Sequence, residues 1–206
     1  MKSVFLLVFI ILISCQKKSA SETVVGIQSY EDFPRAKRDT LAKTIANFYE
    51  VKIVLLPDVE LPKSAFIQVK SARYRADSII RIQNRKRVDT IDYILGLTQR
   101  DISTTKKDKD GNTKTPKYKY EDWGIMGLAF CPGKSCIVSS FRLQHKNPDI
   151  YLTRLKKVTI HELGHNLGLA HCPNKKCVMT DAVESVATID NAVLALCDSC
   201  KSKISD

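Results

Sequence analysis

The sequence has no internal repeat and no long low-complexity tract, which excludes a solenoid and argues against a disordered scaffold. It has little histidine, only four residues among 206. Acidic residues are also outnumbered, because 22 Asp and Glu stand against 33 Lys and Arg, for a formal net charge of +11. That charge is compatible with a nucleic-acid partner, an anionic membrane surface or a basic solvated exterior, and its sign alone does not choose among them. The length suits one domain with a sizeable core.

The N-terminus contains a short apolar run from Val4 to Ile13, preceded by Lys2. The run is too short to cross a bilayer comfortably, and its pattern is typical of an export signal. Its end, Leu12 to Cys15, resembles the bacterial lipobox, in which the cysteine is lipidated and becomes the first mature residue. An ordinary cleaved signal or a short buried segment is the alternative. We therefore expect an exported, membrane-anchored bacterial lipoprotein, with a signal peptide at 1–14, lipidation of Cys15, a tether at 15–22 and one folded domain at 23–206.

The next part of the chain alternates between strand and helix patterns. Short runs rich in β-branched and aliphatic residues predict strands, whereas apolar residues at helical spacing predict helices. The predicted strands cover 23–27, 51–56 and 91–97, and the helices between them start at Pro34 and cover 72–84. This β-α-β-α-β order predicts an α/β (α+β) fold whose sheet contains parallel pairs joined by helical crossovers.

The segment 101–120 differs in composition, since it contains six lysines and the turn-forming Asp110-Gly111-Asn112. These residues predict an exposed hairpin or long loop. Two further strands are predicted at 125–130 and 136–141. Asn147 followed by a proline then predicts the start of a helix, with a cap residue and proline at the first helical position.

That helix contains the pattern HExxH, formed by His161, Glu162 and His165. Residues four apart on a helix lie on one face, so both imidazoles can bind one Zn²⁺ at roughly 2.0–2.1 Å. Glu162 lies beside them, near the position where a metal-bound water would sit. For this short pattern alone, a helix with two surface histidines is the alternative.

The pattern extends to HExxHxxGxxH through Gly168 and His171. Glycine can take the left-handed conformation that ends a helix and reverses the chain, which would bring His171 back as a third ligand. Three protein ligands leave the fourth position of zinc for water or substrate, which is typical of a catalytic zinc. The string therefore predicts a zinc-dependent hydrolase of peptide bonds, with Glu162 as the general base.

Four cysteines follow in two closely spaced pairs. Such pairs suit a closed tetrahedral zinc site, which would tie the loop after His171 to a helix predicted to start near Asp190. Because an exported chain meets oxidising conditions, two disulfides are the alternative, and the spacing does not decide between them. The four residues are Cys172, Cys177, Cys197 and Cys200.

From His161 to Cys200 the sequence reads HELGHNLGLAHC-x4-C-x-M-x17-C-x2-C. This run resembles the signature of the archaemetzincins, a branch of the metzincin metallopeptidases. Weaker similarity upstream, at Arg73-Tyr74, 97–102 and 138–143, extends the resemblance over most of the mature chain. The resemblance implies a single zincin-like catalytic domain with a mixed twisted sheet, an active-site helix and a C-terminal helix.

The resemblance also implies two Zn²⁺ ions, a catalytic one on the three histidines and a structural one on the four cysteines. Met179 is implied to lie in a tight turn that forms an apolar floor below the catalytic site. The strand at 136–141 is implied to form the upper rim of the cleft, where an extended substrate could pair by strand addition. We accordingly expect a peptide or protein substrate and a monomer.

Three features depart from the family pattern: the export and lipidation signal, the lysine-rich insertion at 101–120, and an additional cysteine pair, Cys131 and Cys136. These two cysteines flank a short turn that contains Pro132 and Gly133. A local disulfide across that turn and two unpaired thiols are both compatible with the spacing.

Two other function classes remain as alternatives. A non-catalytic zinc-stabilised binding protein on the same scaffold would need a blocked cleft or a filled water position, and the intact Glu162 argues against it. A zinc-ribbon-like nucleic-acid module is suggested by the paired cysteines and the positive charge. However, the lysines cluster at 101–120 rather than around the cysteines, and an exported chain rarely meets nucleic acid. We therefore expect no nucleic-acid partner.

Overall fold

The computed structural model describes residues 22–31, 33–181 and 185–204. The predicted signal peptide at 1–14, the lipidation site Cys15 and the tether up to residue 21 lie outside the described residues. Among the helices of the described ranges, none has the length and apolar character that a membrane crossing requires.

Within these ranges the chain forms nine β-strands and six α-helices. The strands are β1 (Val24–Ser29), β2 (Lys52–Leu55), β3 (Phe66–Gln68), β4 (Ala72–Arg75), β5 (Tyr93–Thr98), β6 (Ile102–Thr104), β7 (Trp123–Ile125), β8 (Gly127–Ala129) and β9 (Ser135–Ser139). The helices are α1 (Arg35–Tyr49), α2 (Ala76–Lys86), α3 (Lys117–Tyr120), α4 (Pro148–Asn166), α5 (Val186–Asn191) and α6 (Asp198–Lys201).

The main sheet is mixed and has the strand order β2-β1-β5-β9-β8. The first four strands run parallel, and β8 pairs antiparallel with β9 at the edge. Parallel neighbours require crossover connections, which α1 and α2 supply between β1, β2 and β5. The predicted fold class, with its β-α-β-α-β order and parallel pairs, is therefore confirmed.

The main sheet is covered on both faces, as a parallel sheet usually is. Alternation along β9 shows this directly: Cys136 and Val138 pack into a core formed with α1 and α4, whereas Ile137 packs into a second core formed with α2. Because successive side chains of a strand point to opposite faces, α4 lies on the same side as α1. The helix α4 is thus held against the sheet over most of its length.

A second sheet, with the order β3-β4-β6-β7, was not predicted. Its strands are three or four residues long, and three predicted segments change as a result. The helix predicted from residue 72 begins at Ala76, because Ala72–Arg75 pairs as β4. The strand predicted at 125–130 divides near Met126 into β7 of the second sheet and β8 of the main sheet. The segment 101–120 starts with the buried strand β6 before its hairpin.

An ion-pair cluster joins the second sheet to the end of the main sheet. The carboxylate of Asp101, which is 7% exposed, accepts from Arg142 Nε and Nη2 at 2.7 and 2.8 Å and lies 2.9 Å from Arg73 Nε. Arg73 also contacts the buried Asp122 at 3.3 Å. Asp101 follows β5, Arg73 lies on β4 and Arg142 follows β9, so one carboxylate fixes three segments together.

Helical structure near the C-terminus is present, but it differs from the predicted single helix near Asp190. Two short helices, α5 and α6, are separated by an irregular segment. Its backbone bonds to the segment after His171, since Val178 N donates to Ala195 O and Val193 N donates to Lys176 O.

Candidate metal centres and active-site cavity

The helix α4 contains His161 and His165, which are four residues apart in the HExxH pattern and therefore share one face of the helix. It begins as predicted: the Asn147 side chain accepts from Asp149 N at 2.8 Å, and Pro148 occupies the first turn. It ends at Asn166, and Gly168 follows two residues later with a φ of +93°, the left-handed conformation that glycine adopts without strain. Leu169 N then donates to Gly164 O at 2.9 Å, so the chain reverses and returns towards the helix.

The reversal brings the three histidines together. The ring centroids of His161 and His165 lie 4.6 Å apart. The ring centroid of His171 lies 5.3 Å from that of His161 and 4.8 Å from that of His165. One ligand nitrogen from each residue lies within 4.8 Å of the other two. His161 and His165 are largely buried, whereas the side chain of His171 is 43% exposed, so the cluster opens to solvent on one side.

Two backbone carbonyls orient the buried imidazoles. His161 Nδ1–H donates to Val178 O at 2.8 Å and His165 Nδ1–H donates to Leu169 O at 2.6 Å. Each Nε2 therefore carries a lone pair, as a metal ligand requires. Burial lowers the pKa of His161 to about 4 and also lowers that of His165, so both rings are neutral at pH 7.

The separation of these nitrogens fits a metal ion. His161 Nε2 and His165 Nε2 face each other at 3.0 Å, although both are acceptors in this tautomer. Two lone pairs at this distance repel each other unless a cation lies between them. Tetrahedral zinc with bonds of roughly 2.0–2.1 Å requires a separation of about 3.3 Å between ligand nitrogens. The histidines thus fit zinc in both charge and spacing.

Glu162 lies beside the histidines as a buried carboxyl group that is 8% exposed. Burial raises its pKa to about 8. The edge strand β8 approaches it closely, because a Cβ added at Gly127 would lie 2.6 Å from both Cγ and Oε1 of Glu162. Only glycine at this position leaves room for the carboxyl group in its present place.

A cavity of about 230 Å³ lies in front of the histidines and Glu162. Its wall comes from α4, from β8 and the residues before it, from the segment after His171, and from the start of the 101–120 insertion. The lining residues outside the predicted site are Thr104, Lys106, Ile125, Met126, Gly127, Leu128, Ala129, Lys157, Val158, Val178, Thr180, Ile189 and Ala192.

The four C-terminal cysteines form a second cluster, whose sulfur atoms all lie within 4.8 Å of one another. Cys172 Sγ is 3.6 Å from Cys197 Sγ, and Cys177 Sγ is 3.8 Å from Cys200 Sγ. A disulfide requires about 2.05 Å, whereas zinc with Zn–S bonds of about 2.3 Å separates its sulfurs by about 3.8 Å. All four are free thiols, and their spacing fits a metal rather than disulfides.

The family of this chain follows from its match to a protein-family model. The model described as Peptidase family M54 matches residues 23–206. The chain belongs to peptidase family M54. As a member of this family, it is a zinc metallopeptidase.

Relatives of this M54 peptidase agree with the predicted resemblance. Archaemetzincins from Halobacterium salinarum and Haloquadratum walsbyi are 26% and 28% identical to it over 186 residues, which cover 86% of this chain and 96% of theirs. The crystal structure of an archaemetzincin from Methanopyrus kandleri superposes with a TM-score of 0.72 at 25% identity, over 91% of this chain and 96% of that one. An archaemetzincin from Archaeoglobus fulgidus, crystallised with malonate, gives 0.70 at 26% identity, over 88% and 100%.

In this M54 peptidase Met179 packs against Gly164 of α4, in a turn closed by Thr180 N donating to Cys177 O at 3.0 Å. Met179 is fully buried, and a Cβ added at Gly164 would lie 2.6 Å from its sulfur. On the same face of α4, the Tyr49 hydroxyl donates to Ile160 O at 2.8 Å. Because Gly164 has no side chain, the Met179 sulfur and the Tyr49 hydroxyl can approach α4 at a position between His161 and His165 in the sequence.

The sheet topology corrects the prediction that the strand at 136–141 forms the rim of the cleft. β9, which covers most of the predicted 136–141 strand, is buried along its whole length between β5 and β8. The edge strand that lines the cavity is β8. The sequence also missed Lys106 and Lys157 as cavity residues. The only available signal for Lys157 was its position four residues before His161, on the same helical face.

The additional cysteines do not form the local disulfide that the sequence left open. Both are free thiols in the M54 domain. Cys136 points from the central strand β9 into the core, whereas Cys131 is exposed. The pleat of β9 therefore directs Cys136 away from the turn.

Proposed function

We propose that this zinc metallopeptidase hydrolyses peptide bonds with Glu162 as its general base. The observation that carries the proposal is the convergence of three imidazoles and one buried carboxyl group on a single open cavity. His161, His165 and His171 would hold the ion, which would supply a lowered pKa for bound water and a polarised scissile carbonyl. A non-catalytic binding protein would need no such carboxyl group at the cavity.

Glu162 is suited to move a proton. Burial favours the protonated form of Glu162, whereas a cation on the histidines would favour its carboxylate. With a metal bound, the group could therefore accept a proton and still hold it until it is donated. The same group can then donate that proton to the leaving amine. Gly127 keeps β8 close against Glu162, which restricts where the carboxyl group can lie. These features make Glu162 the residue of this chain that accepts and delivers the proton.

The edge strand β8 is the proposed substrate-binding strand. Leu128 and Ala129 line the cavity, and β8 has a paired neighbour on one side only among the described strands. An extended peptide can add to such an edge by backbone hydrogen bonds. We propose that the protein acts as a monomer, which light scattering of the active protein would test.

A second, structural zinc on the four cysteines is part of the proposal. Cys172 directly follows His171. Cys197 is the cap residue before α6, and Cys200 lies within α6. A metal on these sulfurs would fix the loop that contains the third histidine to the C-terminal helix. Such an ion would support the catalytic site without contacting substrate.

The variant Glu162→Gln tests the catalytic role. It preserves size and removes the proton acceptor, so we expect unchanged zinc content and a loss of about 10²–10⁴-fold in kcat. Peptide hydrolysis and zinc per chain are measured on the same preparation. Turnover close to that of the unchanged protein would remove Glu162 from the role of general base.

We further propose that the protein is a membrane-anchored lipoprotein exported by its N-terminal signal. The proposal rests on the sequence alone, on the apolar run before Cys15. Acyl chains on Cys15 would anchor the protein, at about 0.8 kcal/mol per buried CH₂. Cys15→Ser is expected to move it from the membrane fraction to the soluble fraction or to leave it unprocessed. An unmodified mature chain that begins at another residue, found by mass spectrometry, would refute the anchor.

A further inference from the structure

A buried lysine, Lys157, forms part of the cavity wall and has no role in the proposed proton transfer. It lies on α4 four residues before His161, so its side chain and that imidazole share one face of the helix. Lys157 is 8% exposed, and lysine is almost never buried to this degree unless its charge is paired. The cavity residues Ile189 and Ala192 adjoin the same wall.

Two of the three hydrogens of the Lys157 ammonium have partners in the described part of the chain. Nζ donates to Ile189 O at 2.8 Å and to Asp190 O at 3.2 Å, which are carbonyls at the end of α5. An ammonium group has three donors and no acceptor. The described residues therefore leave one donor of Nζ without a hydrogen-bond partner, on a side chain that lines the cavity.

The carboxylate of Asp190, which attracts the charge of Lys157, is already paired with another cation. Asp190 accepts a fork of two hydrogen bonds from Arg154, at 2.7 Å from Nε and 2.6 Å from Nη2. Burial lowers the pKa of Lys157, attraction to Asp190 raises it, and repulsion by Arg154 and Lys176 lowers it further. Burial is the largest of these influences, so the protein itself compensates the charge of Lys157 only in part.

Charge on the cavity wall also favours an anionic ligand. Among the described residues that line the cavity, Glu162 is the single acidic one, and Lys106 and Lys157 are both cationic. A metal on the histidines would add further positive charge. A carboxylate that entered this cavity would find a desolvated ammonium with a free donor, a combination that strengthens the hydrogen bond.

We infer that Lys157 binds a carboxylate of the substrate, so that the enzyme prefers peptides with an acidic side chain or a free C-terminal carboxylate close to the cleaved bond. The inference rests on the proposed peptidase function and deepens it by naming a substrate class. Val178, Ile189 and Ala192 supply an apolar wall around the alkyl part of such a residue. Lys157 is then a specificity-determining residue, and its two carbonyl contacts hold the ammonium in place.

The test compares peptides that differ by one charge. Quenched fluorescent peptides carry Glu or Gln at each position flanking the cleaved bond, and each is made with a free or an amidated C-terminus. The unchanged protein is expected to prefer one carboxylate form by about 10- to 100-fold in kcat/KM, the range that a hydrogen bond to a charged group supplies. A preference for the Glu peptide over the Gln peptide indicates that the bound carboxylate belongs to a side chain. A preference for the free over the amidated C-terminus indicates that it is the C-terminal carboxylate.

Three variants distinguish a role of Lys157 in substrate recognition from a purely structural role. Lys157→Met keeps the length and apolar stem but removes the charge, so it should abolish the preference, whereas Lys157→Arg should keep most of it. Lys156→Met removes the same charge one position away, from a residue that does not line the cavity, and should leave the preference unchanged. If Lys157 only supports α5, Lys157→Met will slow both peptides equally. That result, or an unchanged preference, would overturn the inference.

A binding measurement keeps this inference separate from the proposed function. Calorimetry of zinc-loaded Glu162→Gln with the acidic peptide measures recognition without turnover, and the double variant with Lys157→Met should bind about 10-fold more weakly or worse. Any direct contact of the carboxylate with zinc is common to both proteins and cancels. If the unchanged protein cleaves no peptide, the proposed function fails, while equal affinities in this comparison refute the role of Lys157.

Discussion

The close contact between Gly127 and Glu162 allows the proposed catalytic carboxyl group to be displaced without changing any of the proposed metal ligands. In Gly127→Ala the new Cβ would lie 2.6 Å from Cγ and Oε1 of Glu162. Ordinary contact begins near 3.4 Å, so the carboxyl group must retreat by about 0.8 Å. The atoms that move belong to a side chain, so β8 itself can stay paired with β9.

This displacement should affect catalysis far more than stability. Misplacing a reacting group by about 1 Å costs about 10²-fold in rate, whereas overpacking costs about 1–3 kcal/mol in the free energy of unfolding. We therefore expect kcat to fall about 100-fold at unchanged zinc content. In the Glu162→Gln background the same methyl group should cost little further activity, because the base that it displaces is already gone.

Gly26→Ala is the matched control for this experiment. It adds the same methyl group to β1 of the same sheet, where it would meet Ile91 and Leu56 side-chain carbons at 3.1 and 3.2 Å, away from the cavity. It should lower the unfolding temperature and leave kcat within about twofold. The assay is peptide hydrolysis with zinc per chain and thermal unfolding on each variant. Full activity in Gly127→Ala would refute the reasoning.

Three further changes test other parts of the structure. His171→Ala removes a proposed metal ligand. The zinc affinity of the histidine site, measured with a competing chelator, should fall by more than the roughly 10- to 100-fold that outer-shell changes cost; unchanged affinity would exclude His171 as a ligand. Cys197→Ser should lose one zinc and lower the unfolding temperature, because structural metal binding is coupled to folding. Asp101→Ala leaves Arg73 and Arg142 without their shared partner and should cost about 3–5 kcal/mol by urea unfolding; a cost below about 1 kcal/mol would contradict the cluster.

The local parts of the site could be predicted because they depend on near neighbours in the chain. The Asn147 cap, the i,i+4 histidines and the left-handed Gly168 all act within a few residues, and each is present in the structure. The same holds for the strands of the main sheet, whose apolar runs are long enough to be distinctive. Four of its five strands coincide with predicted segments.

The parts that depend on distant pairing could not be predicted. The strands of the second sheet have three or four residues, too few for a recognisable alternation, and β4 and β6 pair across an intervening helix and strand. Which strand forms the edge of the main sheet is also absent from local sequence. The resemblance implies a cleft rim at 136–141, whereas the unbroken burial of β9 is typical of a strand in the interior of a sheet.

The tertiary structure also reveals contacts of individual residues that the sequence alone does not indicate. Arg73, Asp101 and Arg142 all lie in the upstream segments that resemble the archaemetzincins, yet nothing in the sequence indicates that one carboxylate joins them. Lys106 belongs to an insertion predicted to be exposed, but β6 carries the start of this insertion to the cavity wall. In each case the partner lies dozens of residues away.

The zinc content of the purified protein tests the two-metal proposal most directly. We expect two zinc ions per chain of unequal lability, because the histidine site opens to solvent and the cysteine site is closed. Mild chelation should remove one ion together with all peptide hydrolysis while the fold persists, and readdition of zinc should restore both. A single zinc per chain, with no free thiols among the four cysteines after denaturation, would contradict the structural zinc site.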